Sequence, residues 1–172
     1  VFDVIIMGAG LSGIGTAYHL QQNCKNKSYV ILENRASMGG TWDLFKYPGI
    51  RSDSDMYTLG YNFKPWTKSQ VIADGPDILN YIKETADENN IKKNIRYNTK
   101  IISSNWDSSA NLWTLTCTDN TTGKEIQFQA KYIISCMGYY NYDKAYKAKF
   151  EGEKDFKGPI IHPQFWPEDL DY

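Results

Sequence analysis

The feature that most constrains this chain is a triplet of glycines at the end of an apolar run. Residues 1–23 read VFDVIIMGAGLSGIGTAYHLQQN. Phe2–Met7 has the length and apolar density of a buried strand, and the residues from Leu11 onward have the spacing of an amphipathic helix. Between the two, Gly8, Gly10 and Gly13 form G-x-G-x-x-G. The first glycine permits the tight turn, the second lets a diphosphate approach the backbone, and the third lets helix and strand pack closely. The phosphates then face the helix N-terminus. A second apolar run, SYVILE, ends at Glu33, twenty residues beyond Gly13. A carboxylate there can accept hydrogen bonds from the ribose hydroxyls of an adenosine. The pattern predicts an α/β, Rossmann-like βαβ unit with a parallel sheet, Gly8, Gly10, Ser12 and Gly13 forming the loop under a dinucleotide.

The next segment, GGTWDLFKYPGIRSDSDMYTLGYNFKPW, begins at Gly39. A simple dehydrogenase would run from such a glutamate into another helical crossover. Here Gly39 and Gly40 allow a further close backbone approach. Trp42 and Tyr47 can wall a flat ring, with Thr41, Asp43 and Asp53 as polar contacts. Tyr57, Tyr61 and Trp66 read as core. Asp74, Gly75 and Pro76 mark a helix start, followed by Ile78, Leu79, Ile82 and Ala86 along one face. IRYNTKIISSNW, LWTLTCT and EIQFQA read as strands, with DNTTG as the turn before the last, which gives a β-meander. KYIISCMG reads as a further strand returning to the sheet and ending at Gly138. The tyrosine-rich stretch YYNYDKAYKAKF reads as a surface connection.

Composition narrows the function classes. At 172 residues, 41% hydrophobic and 23% charged, the chain can bury the core of one domain. A net charge of -1 gives no electrostatic footprint for nucleic acid or an anionic membrane. No apolar run approaches the roughly 20 residues of a membrane-spanning helix. Cys24, Cys117 and Cys136 are odd in number and lack a CxxC spacing, which fits a reducing cytoplasm. With His19 and His162 the only histidines, no metal site is expected. No serine sits in G-x-S-x-G, which argues against a hydrolase of that type. No Tyr/Lys or His/Asp set accompanies the glycines, which leaves a dehydrogenase a distant reading.

A second motif lies near the end of the sequence. Phe156, Gly158, His162, Trp166 and Pro167 stand in the order F-x-G-x-x-x-H-x-x-x-W-P. With the glycine loop, Glu33, Gly39-Gly40-Thr41-Trp42 and Tyr47-Pro48-Gly49, this pattern resembles the flavin-dependent monooxygenases of the Baeyer–Villiger type over essentially the whole chain. The long-chain alkane hydroxylases of the flavin class share much of the segment after Gly40. The resemblance implies FAD as bound cofactor and NADPH as reductant in the complete enzyme. It also implies O2 as co-substrate, and a ketone, sulfide or hydrocarbon as the small molecule oxygenated.

It implies residue roles as well. Gly8, Gly10, Ser12 and Gly13 would hold the diphosphate and Glu33 the ribose, with Gly40 and Gly138 close to the cofactor. Thr41, Trp42, Asp43 and Leu44 would meet the flavin half, and Ile101 the adenine. Asp53 would lie near the flavin ring, with Arg51 and Ser52 toward the nicotinamide. Arg51, Asp53 and His162 are the candidate catalytic residues, although a hinge position suits His162 to orientation better than to proton transfer. Residues 1–150 are expected as the N-terminal part of an FAD-binding domain. Residues 151–172 are expected as a hinge carrying the fingerprint, with the chain truncated before an NADPH domain. Such a piece is expected to hold FAD, or nothing, without turnover, to self-associate, and to leave its fingerprint segment poorly anchored or docked on a neighbouring chain.

Overall fold

The computed structural model describes residues 1–171. Six strands form one mixed sheet, in the order β3-β2-β1-β6-β5-β4. Strand β1 is Phe2–Met7, β2 is Tyr29–Leu32, β3 is Ile95–Arg96, β4 is Thr99–Asp107, β5 is Leu112–Asp119 and β6 is Glu125–Ser135. β1 lies centrally, parallel to β2 on one side and to β6 on the other. That position explains its uninterrupted apolar run, because a central parallel strand is covered on both faces. β2 pairs in parallel with β3. β4, β5 and β6 form the expected antiparallel meander.

Helix α1 (Leu11–Asn23) connects β1 to β2. Two single turns, α2 (Thr41–Leu44) and α3 (Met56–Leu59), and the long helix α4 (Gly75–Glu88) lie between β2 and β3. α4 starts as its sequence predicts, with Asp74 at the N-cap and Pro76 in the first turn, and it buries Ile78, Ile82 and Ala86. On the helical face of the sheet these pack with Val4, Ile6, Ile14, Ala17 and Ile31. The other face gathers Ile5, Met7, Val30 and Leu32 with Leu115, Cys117 and Ala130. The alternation of β1 between the two cores is the two-residue period of a strand. Each fully buried aliphatic side chain here contributes on the order of 1.5–3 kcal/mol.

The sheet coils far enough to bring its distant edge back over its middle. The Thr99 N–H, at the start of β4, donates to the Glu33 carbonyl at 2.8 Å, and the Asn98 N–H donates to Arg35 at 3.0 Å. This coil covers the second face and sets Thr99 and Ile101 beside the end of β2.

Three expectations are corrected. The run IRYNTKIISSNW is two strands, because Asn98 takes a left-handed backbone (φ 53°) and turns the chain from the parallel edge into the meander. EIQFQA and KYIIS are one continuous strand, β6, whose first half pairs with β5 and whose second half pairs with β1. Tyr57 is 67% exposed and belongs to no core. Trp66 is buried, and Tyr61 is half-buried with its hydroxyl donating to the Leu11 carbonyl at 2.6 Å.

Candidate functional site

The carboxyl ends of β1, β2 and β6 open into a cavity of about 500 Å³. A doubly wound sheet leaves its crevice there, because the chain departs to opposite faces from adjacent strand ends. The first wall is the glycine loop. Gly8 has φ +102°, and a Cβ on it would meet the Cys136 carbonyl oxygen at 2.7 Å. Gly13 sits beneath the loop, where a Cβ would fall 1.9 Å from the Gly8 carbonyl oxygen. These two glycines are demanded by the fold itself.

Gly10 is different. Its backbone is extended (φ -81°, ψ -169°), and a Cβ there would find the Gly40 Cα as nearest neighbour at an ordinary 3.5 Å. Neither conformation nor packing requires glycine at this position. What the missing side chain does is keep open the cleft between Gly10 and Gly40, directly at the start of α1. No side chain caps that helix, and its first turn holds no acidic residue. Its leading N–H groups and dipole therefore face the cleft available to an anion. A dinucleotide diphosphate fits this arrangement.

Glu33 forms the next wall. It is only 6% exposed. Its Oε2 accepts from the Ala9 N–H at 2.8 Å and its Oε1 from the Arg35 N–H at 2.9 Å. The carboxylate thereby ties the end of β2 to the glycine loop, and its remaining lone pairs stay open to hydroxyl donors. Thr41 and Trp42, at the start of α2, extend the wall beyond Gly40. Ile101 comes from the meander and Gly138 from the loop after β6.

Of the residues expected in the site, the cavity thus gathers Gly8, Gly10, Ser12, Glu33, Gly40, Thr41, Trp42, Ile101 and Gly138. Gly13 supports it from below. Asp43 is buried outside the cavity lining, and its carboxylate is engaged by Arg35 at 2.7 Å and by the Ser37 hydroxyl. Burial pushes that carboxyl up, but the Ser37 and Arg35 hydrogen bonds and the Arg35 charge outweigh it and hold it below the ordinary range. Leu44 is half-buried behind it. Arg51 is exposed and bridges through its backbone to Asp74, and Ser52 is buried against Ala73. Asp53 is exposed, close enough to Tyr140 for its charge to contribute to raising that phenol, after the larger effects of a Tyr139 hydrogen bond and burial.

His162 lies apart from the cavity. Its Nδ1 accepts from the Gln164 N–H at 3.2 Å and caps a short turn, Pro163–Phe165. It lines a separate apolar depression with Tyr146, Phe150 and Ile160.

The stretch read as a surface connection is part of the site. Tyr139, Tyr140, Asn141, Tyr142 and Asp143 all line the cavity. Tyr142 is half-buried, its ring 6.0 Å from the Arg35 guanidinium, and burial followed by the Glu33 charge raises its phenol. The available signal was the parallel strand: loops after the carboxyl ends of parallel strands line the crevice. The fingerprint segment is also anchored rather than loose. Gln164 is buried and donates to the carbonyls of Asn141 and Tyr142 at 2.9 and 3.1 Å.

Among the described residues no helix is long and apolar enough to cross a membrane, and no cluster of His, Cys, Asp and Glu could hold a metal ion.

Known proteins resemble this chain in sequence and fold. Residues 6–69 match the NAD(P)-binding Rossmann-like domain, and residues 70–169 match the flavin-binding monooxygenase-like family. The chain is 60% identical over 171 residues to the FAD-containing monooxygenase EthA of Mycolicibacterium smegmatis, covering 99% of this chain and 34% of that protein. It is 51% identical over 170 residues to the probable FAD-binding monooxygenase AlmA of an Acinetobacter species, with the same coverage. Among solved structures, OTEMO in complex with FAD and NADP superposes with a TM-score of 0.80 at 29% identity, over 98% of this chain and 31% of that one. Cyclohexanone monooxygenase from Rhodococcus sp. Phi1 bound to NADP+ superposes with a TM-score of 0.78 at 26% identity, over 99% and 32%. The chain spans about a third of the length of the relatives it matches.

Proposed function

This chain belongs to the flavin-binding monooxygenase-like family, and from that membership we propose that it forms the FAD-binding part of an NADPH- and O2-dependent monooxygenase acting on ketones or sulfides. The observation that carries the FAD assignment is the cleft between Gly10 and Gly40, set at the uncapped start of α1 with Glu33 beside it. The cavity continues past Gly40 to Trp42 and Tyr140, which leaves apolar walls for a second, flat ring beyond the diphosphate. A hydrocarbon substrate is the second reading, resting on the likeness of the segment after Gly40 to the long-chain alkane hydroxylases.

When bound, FAD would supply the redox chemistry, accepting hydride from NADPH and activating O2 for oxygen transfer. The protein's part is to bind, orient and exclude water. The loop of Gly8, Gly10 and Ser12 presents backbone N–H groups to the diphosphate, with Gly13 keeping helix and strand close. Glu33 would accept from the ribose, and the backbone of Ile101 would meet the adenine. Thr41, Trp42 and Gly138 bound the flavin half, while Asp43 and Leu44 act by holding the α2 turn. Asp53 would lie near the flavin ring, with Arg51 and Ser52 toward the nicotinamide side, and Arg51 and Asp53 are exposed there. His162 orients the fingerprint turn.

Residues 151–172 act as a hinge to the NADPH-binding part of the complete enzyme, in the cytoplasm. The 172 residues alone hold one glycine-rich dinucleotide loop. By themselves they are expected to bind FAD without NADPH-driven turnover, since catalysis needs both cofactors positioned together. Their exposed Phe150, Phe156, Ile160 and Phe165 favour self-association. A visible absorption spectrum after FAD addition and gel filtration tests the cofactor assignment: retained flavin bands support it, and a colourless protein that retains NAD(P)H instead contradicts it.

A further inference from the structure

Within the segment 156–167, Gln164 is the one buried residue, although it stands at a variable position of the fingerprint. Both recorded bonds of its side-chain amide are donated, to the carbonyls of Asn141 and Tyr142. Those two residues line the cofactor cavity and lie more than twenty positions away in sequence. The stretch they belong to, 139–143, is held at two further points. Lys100 of β4 pairs with Asp143 at 2.6 Å. The Tyr142 hydroxyl faces Gly40, lying 3.7 Å from where a Cβ on that glycine would sit, and it is within reach of Thr41. The stretch therefore crosses the cavity as a strap, with Gln164 as its link to the fingerprint segment.

We propose that Gln164 is a positioning residue for the cofactor: its amide sets the strap 139–143 against the cavity, so that the fingerprint segment's placement and cofactor occupancy are coupled. The proposal rests on the reading of the cavity as the FAD site. The chemistry is specific to a donor. Two carbonyl oxygens converge on one NH2 group, which an isosteric thioether cannot satisfy and an ionised carboxylate would repel. The pair of bonds also spans the two segments that a moving hinge would separate. A shift of residues 162–166 would pull on Tyr142 and hence on the wall formed by Gly40 and Thr41.

The test uses Gln164→Met, which keeps the volume and removes the donors, beside Gln164→Glu, which keeps the shape and cannot donate when ionised. FAD affinity is expected to fall about tenfold in both, as for loss of one to two net hydrogen bonds. Amide exchange in residues 139–143 is expected to speed up while β1 and α1 keep wild-type rates, and the bound flavin's visible spectrum is expected to shift. Unchanged affinity, spectrum and exchange in Gln164→Met would show that the side chain only fills space, and would overturn the proposal. A measurement on the unmodified protein guards against variants that fail to fold. FAD should slow exchange in 139–143 and in 163–166 together, and protection confined to 139–143 would contradict the coupling. An unmodified protein that binds no FAD would overturn the cofactor reading instead, whereas a protein that binds FAD equally with and without the Gln164 donors would overturn only this proposal.

Discussion

The glycine loop at residues 8–13 and the fingerprint at residues 156–167 are both dense sequence motifs, yet the molecule uses them in opposite ways. The loop is embedded between β1 and α1, and two of its glycines are fixed by backbone atoms of the chain itself, the Cys136 and Gly8 carbonyls. The fingerprint lies largely on the surface. Phe156 and Phe165 are 60% and 55% exposed, and Gln164 ties the segment to the site through two hydrogen bonds. The loop's glycines answer to this fold, whereas Phe156, Gly158 and Pro167 of the fingerprint are exposed, as the proposed hinge requires. Motif density therefore does not reveal whether a segment stabilises the domain or connects it.

That contrast can be broken at several points. The largest effect is expected at Gly13. A Cβ there would lie 1.9 Å from a backbone oxygen, so Gly13→Ala must push α1 off β1. A loss of about 3 kcal/mol or more is expected in chemical denaturation, at the upper end for overpacking. Gly10→Ala should do the reverse, leaving stability near wild type while FAD affinity falls roughly a hundredfold, about 2.7 kcal/mol. A Gly10→Ala protein that bound FAD normally would make the Gly10–Gly40 cleft a structural turn only.

Glu33→Ala removes the acceptor for two backbone N–H groups as well as the proposed ribose contact. Calorimetric titration and denaturation should both register losses, of about 1–3 kcal/mol each. His162→Ala, on the fingerprint side, removes the half-buried acceptor for the Gln164 N–H and the ring beside Phe165. Its effect on stability should stay within about 1 kcal/mol, and FAD affinity should fall less than in Gln164→Met, because the Gln164 amide keeps its own two bonds.

Asp3, remote from both motifs, serves as a control. Hydrogen bonds from the Ser28 backbone and side chain, then from Lys131, lower its carboxyl from 3.8 to about 2. Its contribution to stability is present above its ordinary pKa and is lost as the pH falls through about 2. Thermal midpoints of wild type and Asp3→Asn should therefore differ at pH 5 and converge near pH 2.

Much of the architecture was legible because periodicity and turn chemistry are local. The uninterrupted apolar run of Val4 to Met7, the glycine loop and the Asp74–Pro76 helix start each report on a few neighbouring residues. What was hidden depended on long-range geometry. β6 looks like two strands because its first half alternates polar and apolar residues beside β5, whereas its second half carries consecutive apolar residues beside the central β1. The left-handed turn at Asn98 is invisible within a run of strand formers. Asp43 looked like a cofactor contact beside Thr41 and Trp42, and only the fold shows Arg35 and Ser37 engaging it. The strap at 139–143 looked like a connection because its tyrosines and asparagines are common on surfaces. Its place is set by β6 ending beside β1, for which the returning strand at KYIISCMG was the one signal in the sequence.

The account's central claim is that one end of the cavity is built for an adenosine diphosphate and the other for a flat ring. Competition titration against FAD tests it most directly, with ADP and FMN as the two half-ligands. ADP should displace FAD, because the α1 N-terminus, the Gly10–Gly40 cleft and Glu33 grip that half, and FMN should compete far more weakly. Displacement by FMN with no effect of ADP would contradict the assignment of the glycine loop and Glu33 to the adenosine diphosphate.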